Sequence, residues 1–211
     1  TGMKILNVSS LKIPEIKIIK FARFVDDRGF FSSHHAASVL GIKPEQTNES
    51  FSRSNVVRGL HFQWNPYQGK LVRTVSGHMV DMVLDIRLGS PNFGKIILYN
   101  MPQCTENNFS EWIWVPPGFA HGNFFLKESL IEYFCTGEWA PHSEEGISPL
   151  CSNLDWSICE TELKQMFDQL LSHAIITDKD RNGLSLEEWT SDERSKKFLY
   201  ESLMECQGII C

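Results

Sequence analysis

The sequence predicts a mainly β protein, a sandwich or barrel of short strands that is followed by short C-terminal helices. Three observations lead to this class. Segments rich in Ile, Val, Phe, Trp and Tyr recur from residue 14 to about residue 140. Clusters of Gly, Pro, Asn, Asp and Ser separate these segments, as turns do. Helical patterns of roughly 10–15 residues do not occur between them, which argues against a parallel α/β sheet.

The strand segments are short, and turn clusters mark many of their ends. The turn clusters are Asp27–Gly29, Asn65–Pro66, Ser76–Gly77, Gly89–Pro91 and Pro116–Gly118. The predicted strands are Lys17–Val25, Val56–Gln63, Leu71–Val75, Met79–Ile86, Lys95–Met101, Glu111–Val115 and Leu130–Phe134. This spacing is typical of antiparallel sandwiches and barrels.

The hydrophobic period becomes helical after about residue 150, and an amphipathic helix is predicted there. Its apolar face consists of Leu163, Met166, Phe167, Leu170 and Leu171. The sequence has no internal repeat and no low-complexity linker. We therefore predict one β domain, residues 3–150, and a helical C-terminal extension, residues 151–211, that packs on the same domain.

A second helix is predicted from about Thr190 to Met204. Its first residue and Glu193 have the spacing of a capping box. The segment Thr177–Gly183 is predicted to be a loop. It begins like a calcium-binding loop, but the twelfth position counted from Asp178 is a tryptophan where a bidentate carboxylate is needed. Calcium binding is therefore not predicted.

The composition is that of a globular protein. The chain has 211 residues, 42% of them hydrophobic, and a formal net charge of −6. No run of Lys or Arg suggests a nucleic-acid groove or a membrane-surface patch, and no apolar stretch of about 18 residues predicts a transmembrane helix.

No secretion signal is recognised, and Thr1-Gly2 is interpreted as an expression remnant. The six cysteines lack regular spacing, so we expect free thiols and a cytoplasmic location.

Ionisable side chains interrupt an apolar strand in the segment Asn55–Gln63. In alternating strand geometry, His61 and Gln63 share one face and Arg58 lies on the other. A lone histidine of this kind is usually a core residue that is hydrogen-bonded to a neighbour, and this interpretation stays open here. A functional role requires companions.

A second histidine follows a rigid turn in the pattern Pro116-x-Gly118-x-x-His121. This pattern is the second metal motif of many small β-barrels. A catalytic metal normally has about three protein ligands. The first segment, however, offers His61-x-Gln63 rather than two histidines. We therefore predict no metal, so that a reaction here would rely on acid–base groups.

Several motifs, in one order along the chain, carry a family resemblance. They are Asp27–Phe31, Gln46–Ser50, Val57–Gln63, Gly69–Arg73, Val83–Arg87, Ser90–Gly94, Val115–Gly122 and Asp178–Asp180. Together they resemble the dTDP-4-dehydrorhamnose 3,5-epimerase family of nucleotide-sugar epimerases. The resemblance implies a jelly-roll barrel of the cupin type, an active site without metal or cofactor, and a homodimer whose N-terminal segments reach the partner's site.

The resemblance also implies a set of catalytic residues. The hydrogens on carbons 3 and 5 of a 4-keto sugar are acidified by the ketone, and epimerisation removes one from one face and returns one to the other. By resemblance, His61 is the base and Asp180 its partner. Lys70 stabilises the enolate oxygen, and Tyr133 is the proton donor on the opposite face.

Substrate contacts are implied in the same way, and Arg28 and Phe30 would act across the dimer. The implied binding residues are Arg28, Phe30, Gln46, Asn48, Arg58, His121, Trp139, Glu144 and Lys179. Asp81 and Asp85 share one face of a predicted strand, and either could instead orient a cation or His61.

The sequence departs from the family pattern at Ser33, where an acidic residue commonly serves thymine, so the nucleotide base stays open. The base-stacking tyrosine is replaced by Trp139. The predicted function is epimerisation of carbon 3, carbon 5 or both of a nucleotide-diphospho-4-keto-6-deoxyhexose. The alternatives are a 3,4-ketoisomerase, a non-catalytic protein that binds nucleotide sugars or responds to calcium, and a metal-dependent enzyme of the same barrel type.

Overall fold

Two antiparallel sheets form the framework of the computed structural model, which describes residues 4–34 and 37–204. The first sheet has the strand order β1 (Ile5–Ser10), β2 (Lys17–Ala22), β10 (Phe109–Val115), β7 (Lys70–Ser76), β12 (Ser129–Cys135) and β5 (Gln46–Ser52). The second has the order β13 (Glu144–Gly146), β6 (Val57–Gln63), β11 (Phe119–Phe125), β8 (His78–Asp85) and β9 (Ile96–Pro102). The prediction of a mainly β protein is confirmed.

A separate hairpin lies outside both sheets. It consists of β3 (Phe24–Asp26) and β4 (Gly29–Phe31), so the predicted strand Lys17–Val25 is divided between β2 and this hairpin. The hairpin leaves apolar side chains exposed, Val25 to 69% and Phe31 to 58%.

The sheets pack face to face through apolar side chains from both. Val72 and Ile113 of the first sheet and Val83 and Phe119 of the second belong to one buried cluster. Each such side chain contributes about 1.5–3 kcal/mol when it is fully buried. This cluster holds the sheets at a fixed separation, so polar side chains elsewhere on their inner faces can meet across the gap.

The outer faces of the sheets are covered differently. On the first sheet, Trp112 and Trp114 pack with Leu40 of the short helix α1 (Ala37–Leu40). On the second sheet, α2 (Thr161–Leu171) packs its buried Phe167 on Phe124, with ring centroids 5.3 Å apart. The predicted amphipathic helix is therefore confirmed, and it covers one sheet with its apolar face.

The predicted helix from Thr190 to Met204 is wrong, because the segment is broken into shorter pieces. They are α4 (Leu186–Ser191), a 3₁₀ helix (Glu193–Lys197) and α5 (Tyr200–Leu203). The capping box lies earlier than predicted, at Ser185 and Glu188. The extended backbone of Asp192 ends α4, and its side chain accepts a hydrogen bond from the Arg194 N–H. The extended Leu199 pairs with Leu88 and separates the last two pieces.

The predicted loop Thr177–Gly183 contains a short helix, α3 (Asp178–Arg181), so that prediction is also wrong. Thr177 caps it by accepting a hydrogen bond from the Asp180 N–H. Local capping overrides the loop-like composition here. In the described part of the chain, no helix is both long and apolar enough to cross a membrane.

Candidate active site

A bulge in β6 turns both Arg58 and His61 toward one cavity. His61 is paired with His121 of β11, whereas Arg58 is paired with Asn123, so three steps on β6 match two on β11. The extra residue reverses the strand alternation. Both side chains line the cavity, and the prediction that Arg58 lies on the face opposite His61 is wrong.

Gly59 makes this bulge sterically possible. Its φ is +105°, a conformation that L side chains rarely adopt. A Cβ atom at this position would lie 2.6 Å from the Cα atom of Gly122 on the neighbouring strand. The Gly59 N–H donates to Oδ2 of Asp180 at 3.1 Å. The bulge therefore provides a backbone donor to the aspartate that is also bonded to His61.

The side chains with implied catalytic roles come from opposite sheets. His61 lies on β6 of the second sheet, whereas Lys70 and Tyr133 lie on β7 and β12 of the first. All three line both of two adjoining cavities, with volumes of about 370 Å³ and 250 Å³. Asp180 lines the smaller of the two. The structure thus brings the four implied catalytic residues together.

His61 and Asp180 form a close pair. The Nε2 atom of His61 lies 2.6 Å from Oδ1 of Asp180. Burial alone would raise the pKa of Asp180, but the hydrogen bonds and positive charge of His61 and the Gly59 N–H outweigh it, so the pKa lies below its ordinary value. An ionised Asp180 accepts the Nε2 proton of His61. The other ring nitrogen, Nδ1, then carries the lone pair that a base requires.

The C-terminal segment positions Asp180 by attaching to the strand beside β6. The Leu184 N–H donates to the carbonyl of Gly146, and the Ser148 N–H donates to the carbonyl of Leu184. Gly146 itself is paired with His61 through β13 and β6. Backbone hydrogen bonds therefore connect the segment that follows α3 to the strands beside His61, although Asp180 and His61 are far apart in sequence.

Tyr133 and Lys70 have opposite pKa shifts with one dominant cause. Burial raises the pKa of Tyr133, and the Asn48 hydrogen bond and the Arg58 charge only partly oppose this. Burial lowers the pKa of Lys70, although Cys135, Asp81 and Glu144 oppose the change. A raised pKa keeps the phenol protonated, as a proton donor must be.

A chain of polar contacts runs from the phenol toward the exposed indole of Trp139. The Gln46 amide donates to Asn48 at 2.9 Å and accepts from the Trp139 backbone N–H at 2.8 Å. The Trp139 indole donates to Glu144 at 3.0 Å, and Lys179 lies 3.4 Å from the same carboxylate. These residues therefore form one end of the site. Lys179 also lines a small adjoining cavity.

His121 forms a second pair with an aspartate. Its Nε2 atom is 2.8 Å from both carboxylate oxygens of Asp81. Asp85 is instead bonded to Arg87 and Ser90 at the other end of β8. The alternative that one of these aspartates orients His61 is therefore wrong, because the partner of His61 is Asp180. The alternative that one of them orients a cation is confirmed for Asp85, which binds Arg87.

Arg28 and Phe30 do not line these cavities within the described chain. They lie on the β3–β4 hairpin, where Arg28 is bonded to Asp26 and Phe30 packs on the guanidinium of Arg23. Their implied role across a dimer stays a prediction. Ser33 follows the hairpin and is half-buried.

Comparisons with known proteins agree with this geometry. The family model for dTDP-4-dehydrorhamnose 3,5-epimerase matches residues 10–188. A relative of that name from Shigella flexneri is 36% identical over 188 residues, which cover 84% of this chain and 94% of the relative. The chain belongs to the dTDP-4-dehydrorhamnose 3,5-epimerase family. The family resemblance found in the sequence is confirmed, and the family consists of isomerases that act on nucleotide sugars.

Solved structures of the epimerase family show the same fold. The dTDP-6-deoxy-D-glucose-3,5-epimerase of Legionella pneumophila Philadelphia 1, in complex with dTDP-4-keto-L-rhamnose, has a TM-score of 0.74 and 32% identity, and the match covers 92% of this chain and 97% of that one. An epimerase of Mycobacterium tuberculosis has a TM-score of 0.75 and 29% identity, with coverage of 96% and 98%. The predicted cupin-type jelly roll is confirmed.

Several cavity residues were missed by the sequence reasoning. Ser50, Asn123 and Cys135 line the cavities beside the implied catalytic groups. The alternation of polar residues along β5 was a usable signal for Ser50, because it continues the face of Gln46 and Asn48. Gln63 has a supporting role, since its amide binds the backbone of Glu138 and Ala140 next to Trp139.

In the described chain, no group of three or more His, Cys, Asp or Glu residues is arranged to hold a metal ion.

Proposed function

We propose that this protein epimerises carbon 3, carbon 5 or both of a nucleotide-diphospho-4-keto-6-deoxyhexose. The observation that carries the proposal is that His61 and Tyr133 belong to opposite sheets yet line the same cavities, with Lys70 beside them. A base and an acid on opposite sides of a sugar are what inversion at a carbon next to a ketone requires.

In this proposal the Nδ1 atom of His61 removes the proton next to the ketone. Asp180 holds the ring by its Nε2 atom and stabilises the imidazolium that forms. The electron pair of the broken C–H bond forms a C=C bond to the ketone carbon, and the π electrons of the C=O bond move onto its oxygen, which becomes an enolate oxygen. The phenol of Tyr133 then donates a proton to the carbon from the other side, and solvent restores both groups.

Lys70 stabilises the enolate in this proposal. Its half-buried side chain lines both cavities between the sheets, and a charge–charge interaction is stronger in such a site than in water. A preorganised cation of this kind stabilises charge as it develops and does not have to reorient during the reaction. Asp81 and Glu144 lie near enough to favour the charged form of Lys70.

The nucleotide is proposed to lie at the end of the site that contains Trp139. This indole is 59% exposed, and Gln46 and Glu144 hold its residue in place, so a ring face is available for stacking on a base. The relative from Legionella binds a dTDP-linked keto sugar, which supports a nucleoside diphosphate here. Because Ser33 cannot accept an imide N–H as a carboxylate does, the test includes nucleotide sugars with bases other than thymine.

The test is a panel of dTDP-, UDP-, CDP- and GDP-linked 4-keto-6-deoxyhexoses in deuterated buffer, with products analysed by NMR. We expect uptake of deuterium at carbon 3, carbon 5 or both for one member. A product whose carbonyl has moved to carbon 3 would indicate a ketoisomerase instead. Binding without uptake across the panel would contradict catalysis.

A homodimer is part of this proposal, because the β3–β4 hairpin carries Arg28 and Phe30 away from the cavities of its own chain. We propose that the hairpin enters the partner's site. Mixing His61→Ala and Arg28→Glu chains should restore activity, since a mixed dimer has one complete site. If the two variant chains are shown to exchange subunits and activity does not recover, this arrangement is contradicted.

We also propose a cytoplasmic location, which is supported by the free thiols of Cys104, Cys135, Cys151 and Cys159.

A further inference from the structure

The wall of the cavity contains a second histidine–aspartate pair that the proposed chemistry does not use. Asp81 on β8 is fully buried, and the side chain of His121 on β11 is 8% exposed. Both oxygens of Asp81 contact Nε2 of His121 at 2.8 Å. Since Nε2 is engaged, Nδ1 is the ring nitrogen that remains for a ligand.

The position of His121 places it next to the proposed base. His121 and His61 are direct partners in the pairing of β11 with β6. The Cβ atoms of such cross-strand partners are about 4.5–5.5 Å apart, and their side chains point to the same face. Both histidines line the cavity that contains Lys70 and Tyr133. A sugar carbon within reach of His61 therefore lies beside His121.

Stability alone gives little reason for a carboxylate at this position. A buried polar pair is often no more stabilising than apolar side chains of similar volume, because the loss of hydration offsets the attraction. Asp85, which is buried on the same strand, is bonded to Arg87 and Ser90. Asp81 is instead hydrogen-bonded to a side chain that lines the cavity.

We propose that Asp81 is a positioning residue, which fixes His121 so that its Nδ1 atom hydrogen-bonds a sugar oxygen next to the carbon that reacts. This inference rests on the proposed epimerase function. A hydroxyl or carbonyl oxygen on a neighbouring ring carbon is the chemical group that this nitrogen recognises. An amide in place of the carboxylate offers one uncharged acceptor instead of two charged ones, so the ring is held less firmly. The sugar is then held less often in the reactive position, and kcat falls more than KM changes.

The test is a cycle of Asp81→Asn, His121→Gln and the double variant, measured as deuterium uptake into a dTDP-linked 4-keto-6-deoxyglucose. We expect each single variant to lower kcat roughly 10- to 100-fold. The double variant should be within about twofold of His121→Gln, because one residue acts through the other. Asp85→Asn is the matched control: it should lower the unfolding temperature and change kcat less than about threefold.

Additive losses in the double variant would overturn the positioning role, as would an Asp85→Asn variant that slows uptake as much as Asp81→Asn. If Asp81→Asn does not fold, Asp81→Glu, which keeps the charge and moves the carboxylate, replaces it in the cycle. An unmodified protein that takes up no deuterium from the whole nucleotide panel overturns the proposed function instead.

A measurement without turnover separates the two failures. Imidazole ¹H–¹⁵N spectra of the full chain should show the His121 proton on Nε2, with the signal assigned through His121→Gln. We expect Asp81→Asn to change this signal and Asp85→Asn to leave it unchanged. A His121 signal that Asp81→Asn does not alter would overturn the inference whatever the activity of the protein.

Discussion

The two histidine–aspartate pairs lie side by side on one sheet but differ in exposure. The side chains of His61 and Asp180 are 40% and 10% exposed, whereas those of His121 and Asp81 are 8% and 0% exposed. A base must meet both substrate and solvent, which the first pair allows. The second pair is buried, which suits it to hold the His121 ring in one orientation. The proposed proton-transfer role and the proposed positioning role are therefore assigned on burial rather than on residue type.

The largest effect is expected at the accessible pair. His61→Asn removes the proposed base and leaves a side chain of similar polarity in a half-exposed position. We expect kcat to fall by about 10²–10⁴-fold with little change in stability, because general-base catalysis contributes on this scale. Deuterium uptake and the unfolding temperature are the measurements. Uptake at the unmodified rate would show that the accessible pair is not the base.

Tyr133→Phe tests whether the chemistry also needs the opposite sheet. We expect inversion to fall by about 10²–10⁴-fold, because the donor on the second face is lost. Any deuterium that still enters the sugar should come from His61. The carbon that takes it up should then keep its configuration, because the proton leaves and returns on the same face. Inversion at an undiminished rate would mean that another group supplies the proton.

Asp180→Asn tests the partner of the accessible histidine. We expect kcat to fall by roughly 10²-fold or more, since the amide has one acceptor oxygen for two donors, the Gly59 N–H and the His61 Nε2–H, and has no charge to stabilise the imidazolium. Because the pKa of Asp180 is lowered from 3.8 in the folded protein, its ionisation stabilises the fold above that value. The difference in unfolding temperature between the unmodified and variant proteins should therefore shrink as the pH falls through the lowered pKa. A difference that grows toward acid pH would contradict this assignment.

The smallest effect is expected outside both pairs, at Glu144. Glu144→Ala removes the acceptor for the Trp139 indole and the partner of Lys179, whose side chain is 74% exposed. Such an exposed ion pair contributes only about 0–1 kcal/mol, so the stability should hardly change. We expect KM to rise a few-fold with kcat nearly unchanged, as measured by initial rates. A loss of kcat equal to that of His61→Asn would contradict the division of roles.

The strands and their inner faces were largely predictable, because hydrophobic alternation and turn residues are local signals. The pairing of His61 with Asp180 was not local, and only the family resemblance suggested it across 119 residues of sequence. The bulge at Gly59 was invisible to alternation, since one inserted residue reverses the face of Arg58 without altering the hydrophobic pattern.

The C-terminal helices show a second limit of sequence reasoning. The capping-box spacing of Thr190 and Glu193 suggested one helix that continues to Met204, but Leu199 is extended and pairs with Leu88 of a distant segment. Such a tertiary contact outweighs helical propensity, which amounts to tenths of a kcal/mol per residue. The Asp81–His121 pair likewise depended on two strands that are adjacent in space and separated in sequence.

The most direct test of the account is the stereochemistry of deuterium uptake by the unmodified protein. After one turnover in deuterated buffer, NMR should find deuterium and inverted configuration at the same carbon of the keto sugar. That result is expected if a base on one sheet and an acid on the other act on opposite faces of the ring. A carbon that is inverted in the product but has taken up no deuterium would contradict the account.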